Sequence, residues 1–139
     1  MFCGSKFNYC DCAEQAVKVK AVSYRPLYFK QLEVRCKCGK CIGHPHHQHL
    51  DDQILIRLDL LRTIINAPII VTSGWRCPEH NARNNGAVNS YHLRGRAADI
   101  TTKNIEDLFY AAERLNKIYL YEFAEIRAYP KERFIHVAR

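Results

Sequence analysis

Three side chains in the second half of the chain, His92, Asp99 and His136, have the types that hold a catalytic metal. Two imidazoles and one carboxylate leave a tetrahedral zinc one position short, and a water filling that position becomes a nucleophile. His92 and Asp99 are separated by a glycine-containing stretch, with Gly95 between them. That spacing suits a tight turn returning the chain rather than the i, i+4 pair of a helical zinc motif. Asp99 lies in Ala97-Ala98-Asp99-Ile100, an apolar run where a lone carboxylate is costly unless something neutralises it. Backbone amides or a nearby arginine are the alternative to a metal there.

A second cluster comes earlier. Cys36, Cys38 and Cys41 are followed by His44, His46, His47 and His49. Three thiolates with one imidazole make a closed, structural zinc site, although one residue between Cys36 and Cys38 is tighter than the usual two to four. The alternative is a reduced thiol cluster packed under the next helix, with the histidines in a solvated loop. Cys3, Cys10 and Cys12 are further candidate ligands, and Cys77 reads as a packed thiol. The seven cysteines are an odd number, and the N-terminus has no apolar export stretch. Reduced thiols or metal ligands are therefore expected rather than a disulfide framework, and conventional secretion is not.

These residues need elements to position them. Arg35 to His49 is rich in Gly, Pro, Cys and His, and reads as loop. Ile54, Leu58, Leu61 and Ile65 repeat at helical spacing, with Asp51 and Asp52 at the positive end of the dipole and Pro68 as the stop after Asn66. Ile69 to Thr72 forms a short buried-type strand. The stretch from Trp75 reads as loop through Gly86 and Ser90, tightens at Gly95 and ends in a strand over Ala97 to Thr101. Asn104 with Asp107 caps a helix carrying Leu108, Ala111, Ala112 and Leu115. Phe123 to Tyr129 and Phe134 to Val137 close the chain as strands. Without a repeat or linker, this is one α+β domain: a lead-in over 1–31 and a core over 32–139, with a small antiparallel sheet and flanking helices.

Composition bounds the rest. The chain has 139 residues, 47% hydrophobic and 25% charged, which is ordinary for one globular domain and unlike a disordered tail. No apolar run approaches the roughly 20 residues needed to span a bilayer. The net charge of +7 suits an anionic polymer such as nucleic acid, an acidic membrane face or a bacterial wall. The positive residues are scattered, so no nucleic-acid motif is read. A monomer is expected.

Ser73-Gly74-Trp75-Arg76, then His80-Asn81, then Ser90-x-His92-x-x-Gly95-x-Ala97-x-Asp99, and finally Phe134-Ile135-His136-Val137 resemble the zinc D-Ala-D-Ala metallopeptidases of the hedgehog/DD-peptidase fold. The short wall-lytic branch of phages and bacteria is the nearest likeness, and it shares Cys36-Lys37-Cys38-Gly39 before the first long helix. The resemblance covers about Leu32 to Val137. It implies that His92, Asp99 and His136 are zinc ligands and that Arg76 holds the substrate carbonyl or carboxylate and stabilises the oxyanion, a task suited to a planar, permanently charged fork. A structural salt bridge is the other reading of Arg76. Ser90 and Tyr91 shape the loop.

The family's usual acidic residues around the last histidine are replaced here by Arg133 and Ala138, leaving Glu125 and Glu132 as candidate general bases. If the last strands pair through an even-numbered turn around Pro130-Lys131, Glu125 faces His136 directly. Glu132 would need an unusual loop to reach the metal. The family also usually has two glycines where this chain has Asn85-Gly86.

The expected function is hydrolysis of peptidoglycan stem or cross-link peptides by one catalytic zinc, as a D,D-carboxypeptidase or a cross-link endopeptidase, with a second, structural ion as one of the two readings of the cysteines. Made in the cytoplasm, the enzyme would reach the wall by holin-type release or lysis, as an endolysin does. The alternative is an inactive, zinc-stabilised binding module. A small nucleic-acid binder ranks last, because it leaves Ser90 to Asp99 unexplained.

Overall fold

The computed structural model describes residues 24–41, 50–118 and 122–139. Cys3, Cys10, Cys12, His44, His46, His47 and His49 lie outside them. A single turn, α1 (Gln31–Val34), precedes the long helix α2 (Asp52–Ile65). Asp51 caps α2 by accepting from the Gln53 amide at 2.7 Å, and Asn66 ends it in the left-handed conformation, φ 49°. Its apolar stripe, Ile54, Leu55, Leu58 and Leu61, is buried. Asp59 on the same helix is also buried, and it accepts from the Tyr24 hydroxyl at 2.6 Å and the Leu27 amide at 2.8 Å. This anchors the segment before α1, whose Phe29 enters the core.

The chain continues through β1 (Ile70–Ser73), α3 (Pro78–Arg83), a 3-10 turn (Tyr91–Arg94), β2 (Ala97–Thr101), α4 (Ile105–Ile118), β3 (Glu125–Tyr129) and β4 (Phe134–Ala138). The short helix α3 departs from the expected loop. Pro78 occupies its first turn and the Cys77 sulfur accepts from the His80 amide, which supplies the start. Six residues are too few to show an apolar period. Asn104 and Asp107 bond reciprocally at 2.8 and 3.3 Å and start α4 as expected.

The four strands form one antiparallel sheet in the order β1-β2-β4-β3. Side chains alternate across it. Val71, Ala98, Ile100, Ile135 and Val137 join the buried residues of α2 and α4 in one core. The opposite face carries the polar set, with Ser73 paired to Asp99 and Asp99 paired to His136. The pairing slips between Val71 and Ser73, and this bulge at Thr72 is what turns Ser73 toward Asp99. The α+β architecture of small antiparallel sheet and flanking helices is therefore observed. Among the described residues, no helix is long and apolar enough to cross a membrane.

One expected pairing is corrected. The turn between β3 and β4 has four residues, Pro130 to Arg133, with Arg133 at φ 58°. Tyr129 and Phe134 close it as a stacked pair, centroids 4.6 Å apart. The register therefore moves by two residues from that of a turn centred on Pro130-Lys131. Arg127, not Glu125, faces His136, and Glu125 faces Ala138. Because the shift is even, Glu125 keeps the same face of the sheet.

Candidate active site

Adjacent strands place Asp99 and His136 side by side. The 3-10 turn adds His92: the Ser90 hydroxyl accepts from its amide, and the chain reverses at Gly95, φ 68°, as the spacing suggested. His92 Nε2, His136 Nδ1 and Asp99 Oδ1 converge, at 3.3 Å between the nitrogens and 3.3 and 2.8 Å from each nitrogen to the oxygen. Ligand atoms about 2.0–2.1 Å from a tetrahedral zinc lie about 3.3–3.4 Å apart, so these atoms fit one ion with little movement. The surroundings fit too. His92 Nδ1 bonds the Gly74 carbonyl at 2.7 Å, so as the donor tautomer it turns the Nε2 lone pair to the site. Arg76 Nη2 donates to Asp99 Oδ2 at 2.7 Å and leaves Oδ1 facing the histidines. Burial works against the Asp99 charge, but the adjoining His136 and His92 side chains hold its carboxyl well below the usual range.

Arg76 is positioned from several directions. Its Nε donates to Ser73 Oγ at 2.8 Å, and its amide donates to the His92 carbonyl at 3.1 Å. The salt-bridge reading of Arg76 is thus realised, and a guanidinium has five donors, so two such bonds leave others for a ligand. His92, Asp99, His136, Arg76, Glu125 and Arg127 line one open cleft of about 420 Å³. Tyr91 and Tyr129 supply aromatic wall. Glu125 is ion-paired with Arg127. Glu132 is exposed on the turn and does not line the cleft. Asn85 takes the left-handed conformation, φ 53°, that a glycine would otherwise supply.

A profile of the M15 peptidases matches residues 27–138. The chain belongs to the M15 peptidases, the zinc D-Ala-D-Ala metallopeptidase family. No curated protein matches it. Family membership agrees with a metallopeptidase, and the three converging ligand atoms supply a candidate metal centre in this M15 chain.

The cysteines form a second cluster, sharing no residue with the first. Cys36, Cys38 and Cys41 come together as expected, and Cys77 joins them. Spacing along the chain hid Cys77 from the sequence reading, since it lies 36 residues beyond Cys41. Burial pushes the Cys36 thiol up to about 11. Burial also opposes ionisation of Cys38, but hydrogen bonds from the Lys40 amide and the neighbouring thiols bring it down to about 7.

Proposed function

We propose that this M15 peptidase is a zinc enzyme hydrolysing peptide bonds in peptidoglycan, as a D,D-carboxypeptidase or a cross-link endopeptidase. The observation that carries the reading is the convergence of His92, Asp99 and His136 in a cleft that also holds Arg76 and Glu125. Zinc bound by the three would polarise the scissile carbonyl and make water nucleophilic at neutral pH. Arg76, held by Ser73 and Asp99, presents fixed positive charge to the developing oxyanion at no reorganisation cost. Glu125 is the one carboxylate lining the cleft besides Asp99, among the described residues. It would accept the proton of the attacking water and return it to the leaving amine. The +7 charge would favour residence on an anionic wall, reached after holin-type release or lysis.

The Glu125–Arg127 ion pair favours a second reading, a binding module, because a paired carboxylate is a poorer base. Purified, metal-quantified protein incubated with bacterial sacculi, with and without chelator, separates the two by mass spectrometry of released peptides. New chelator-sensitive termini establish the peptidase and name the bond. Bound zinc without new termini from several wall types refutes it and leaves the binding module.

A further inference from the structure

We propose that Cys36, Cys38, Cys41 and Cys77 hold a second metal ion, a structural zinc, which clamps the loop bearing Arg76 to the segment after α1. The four sulfurs lie within 4.8 Å of one another, with Cys38–Cys41 at 3.3 Å and Cys38–Cys77 at 3.8 Å. Zinc–sulfur bonds of about 2.3 Å put tetrahedral sulfurs about 3.8 Å apart, so the cluster has the size of one four-thiolate site. All four cysteines are free, and Cys36 and Cys77 are buried.

The backbone around the sulfurs is arranged for anions. Gly39 turns left-handed, φ 76°, and the following Lys40 amide donates to the Cys38 sulfur at 3.4 Å. The Cys77 amide points at Cys36 at 3.5 Å, and the His80 amide at Cys77 at 3.4 Å. Three of the four sulfurs therefore receive a backbone N–H, the outer bonding that tunes thiolate ligands. Beside them, His80 Nδ1 lies 3.2 Å from the Cys36 sulfur. Four ligands close the coordination shell, which makes this ion structural and leaves no position for substrate.

The clamp has a defined target. Cys77 directly follows Arg76, and Trp75 packs with Cys36 and Cys77 in one buried cluster. An ion on these sulfurs would hold the Arg76 backbone from behind while its side chain reaches Asp99 on the other side. This site shares no ligand with His92, Asp99 and His136, so it stands or falls independently of the peptidase reading.

Cobalt substitution of the full, reduced chain tests it, because only thiolate ligands give an intense near-ultraviolet sulfur-to-cobalt band. The wild type should take up close to two metal equivalents and show that band, as expected for one closed and one open site. His136→Ala should lose one equivalent and keep the band. Cys77→Ser and Cys41→Ser, each with three thiolates left, should lower the band by about a quarter or more and keep the other ion. If the serine variants fail to fold, a chain carrying Cys3→Ser, Cys10→Ser and Cys12→Ser together decides the matter: a band that persists belongs to the four clustered cysteines, and a band that is lost overturns the proposal. Cobalt uptake without the band, a Cys38–Cys41 disulfide in the protein as purified from reductant, or a band unchanged in Cys77→Ser overturns the proposal. A band in a wild type that takes up only that one ion supports the thiolate site and overturns the peptidase centre instead.

Discussion

Gly74 links the two halves of the site, and replacing it with alanine tests that link quantitatively. A Cβ built there would lie 2.2 Å from the Val34 carbonyl oxygen, with the Val34 carbon and Cα at 2.8 and 2.9 Å. Ordinary carbon–oxygen contact begins at about 3.3 Å, so the backbones must part by roughly 1 Å. The obstacle is main chain, and no rotamer relieves it. Parting them breaks the bond from the Trp75 amide to the Val34 carbonyl, 2.9 Å long. Overpacking of this kind costs about 1–3 kcal/mol, and an orphaned buried amide about 1–3 more.

We therefore expect Gly74→Ala to lose about 3–5 kcal/mol, a melting temperature roughly 10–20 °C lower for a domain of this size. The same displacement moves the Gly74 carbonyl from His92 Nδ1, a 2.7 Å contact, and should weaken zinc binding about 10- to 100-fold. Thermal unfolding of metal-free protein and zinc competition against a chromogenic chelator measure the two effects. Gly39→Ala is the control. Nothing lies within 4 Å of its Cβ, so only the left-handed strain remains, about 1–2 kcal/mol. A Gly74→Ala protein that melts within about 2 °C of wild type and binds zinc equally would refute the close-approach argument, given the usual scale of such shifts.

Other outcomes follow from the same geometry. Glu125→Gln should keep its zinc and lose about 10²- to 10⁴-fold in hydrolysis of a peptidoglycan fragment, and full activity would remove Glu125 as the base. Arg76→Gln should lower kcat about 10²- to 10³-fold, with zinc retained when it is supplied in excess; a change confined to KM would make Arg76 a ground-state binder. Asp59→Ala, which strands the Tyr24 hydroxyl and the Leu27 amide, should cost about 3 kcal/mol in denaturant unfolding. Burial and then the Asp59 carboxylate raise the Tyr24 phenol from 10.0 to about 12. The unfolded chain loses that proton first, so this contribution to stability is complete below about pH 10 and falls away toward pH 12. Tyr24→Phe should flatten that part of the stability–pH curve, and a curve parallel to wild type would contradict the linkage.

What the sequence disclosed divides by the range of the forces involved. Helix α2 was legible because its cap, its apolar stripe and its stop lie within one continuous segment. Asp99 was legible because a carboxylate in an apolar run betrays a cost that something must offset, and the resemblance to the zinc D-Ala-D-Ala metallopeptidases joined His92 and His136 to it. The register of β3 on β4 was not, because it depends on turn length. Pro130 and Lys131 suggest a centre one residue earlier than the turn adopts. Yet the decisive pair was present in the chain: Tyr129 and Phe134 stack across the turn only when four residues separate them. Reading that pair first would have put Arg127 opposite His136.

Cys77 was missed for a different reason, since no local pattern connects it with Cys36, Cys38 and Cys41. Its place follows from β1, which carries the chain from α2 back past the segment after α1, where the Trp75 amide bonds Val34. The same contact that forbids a side chain at Gly74 therefore brings Cys77 to the other three sulfurs. One close approach, Val34 against Gly74, sets both the His92 orientation on one side and the thiol cluster on the other.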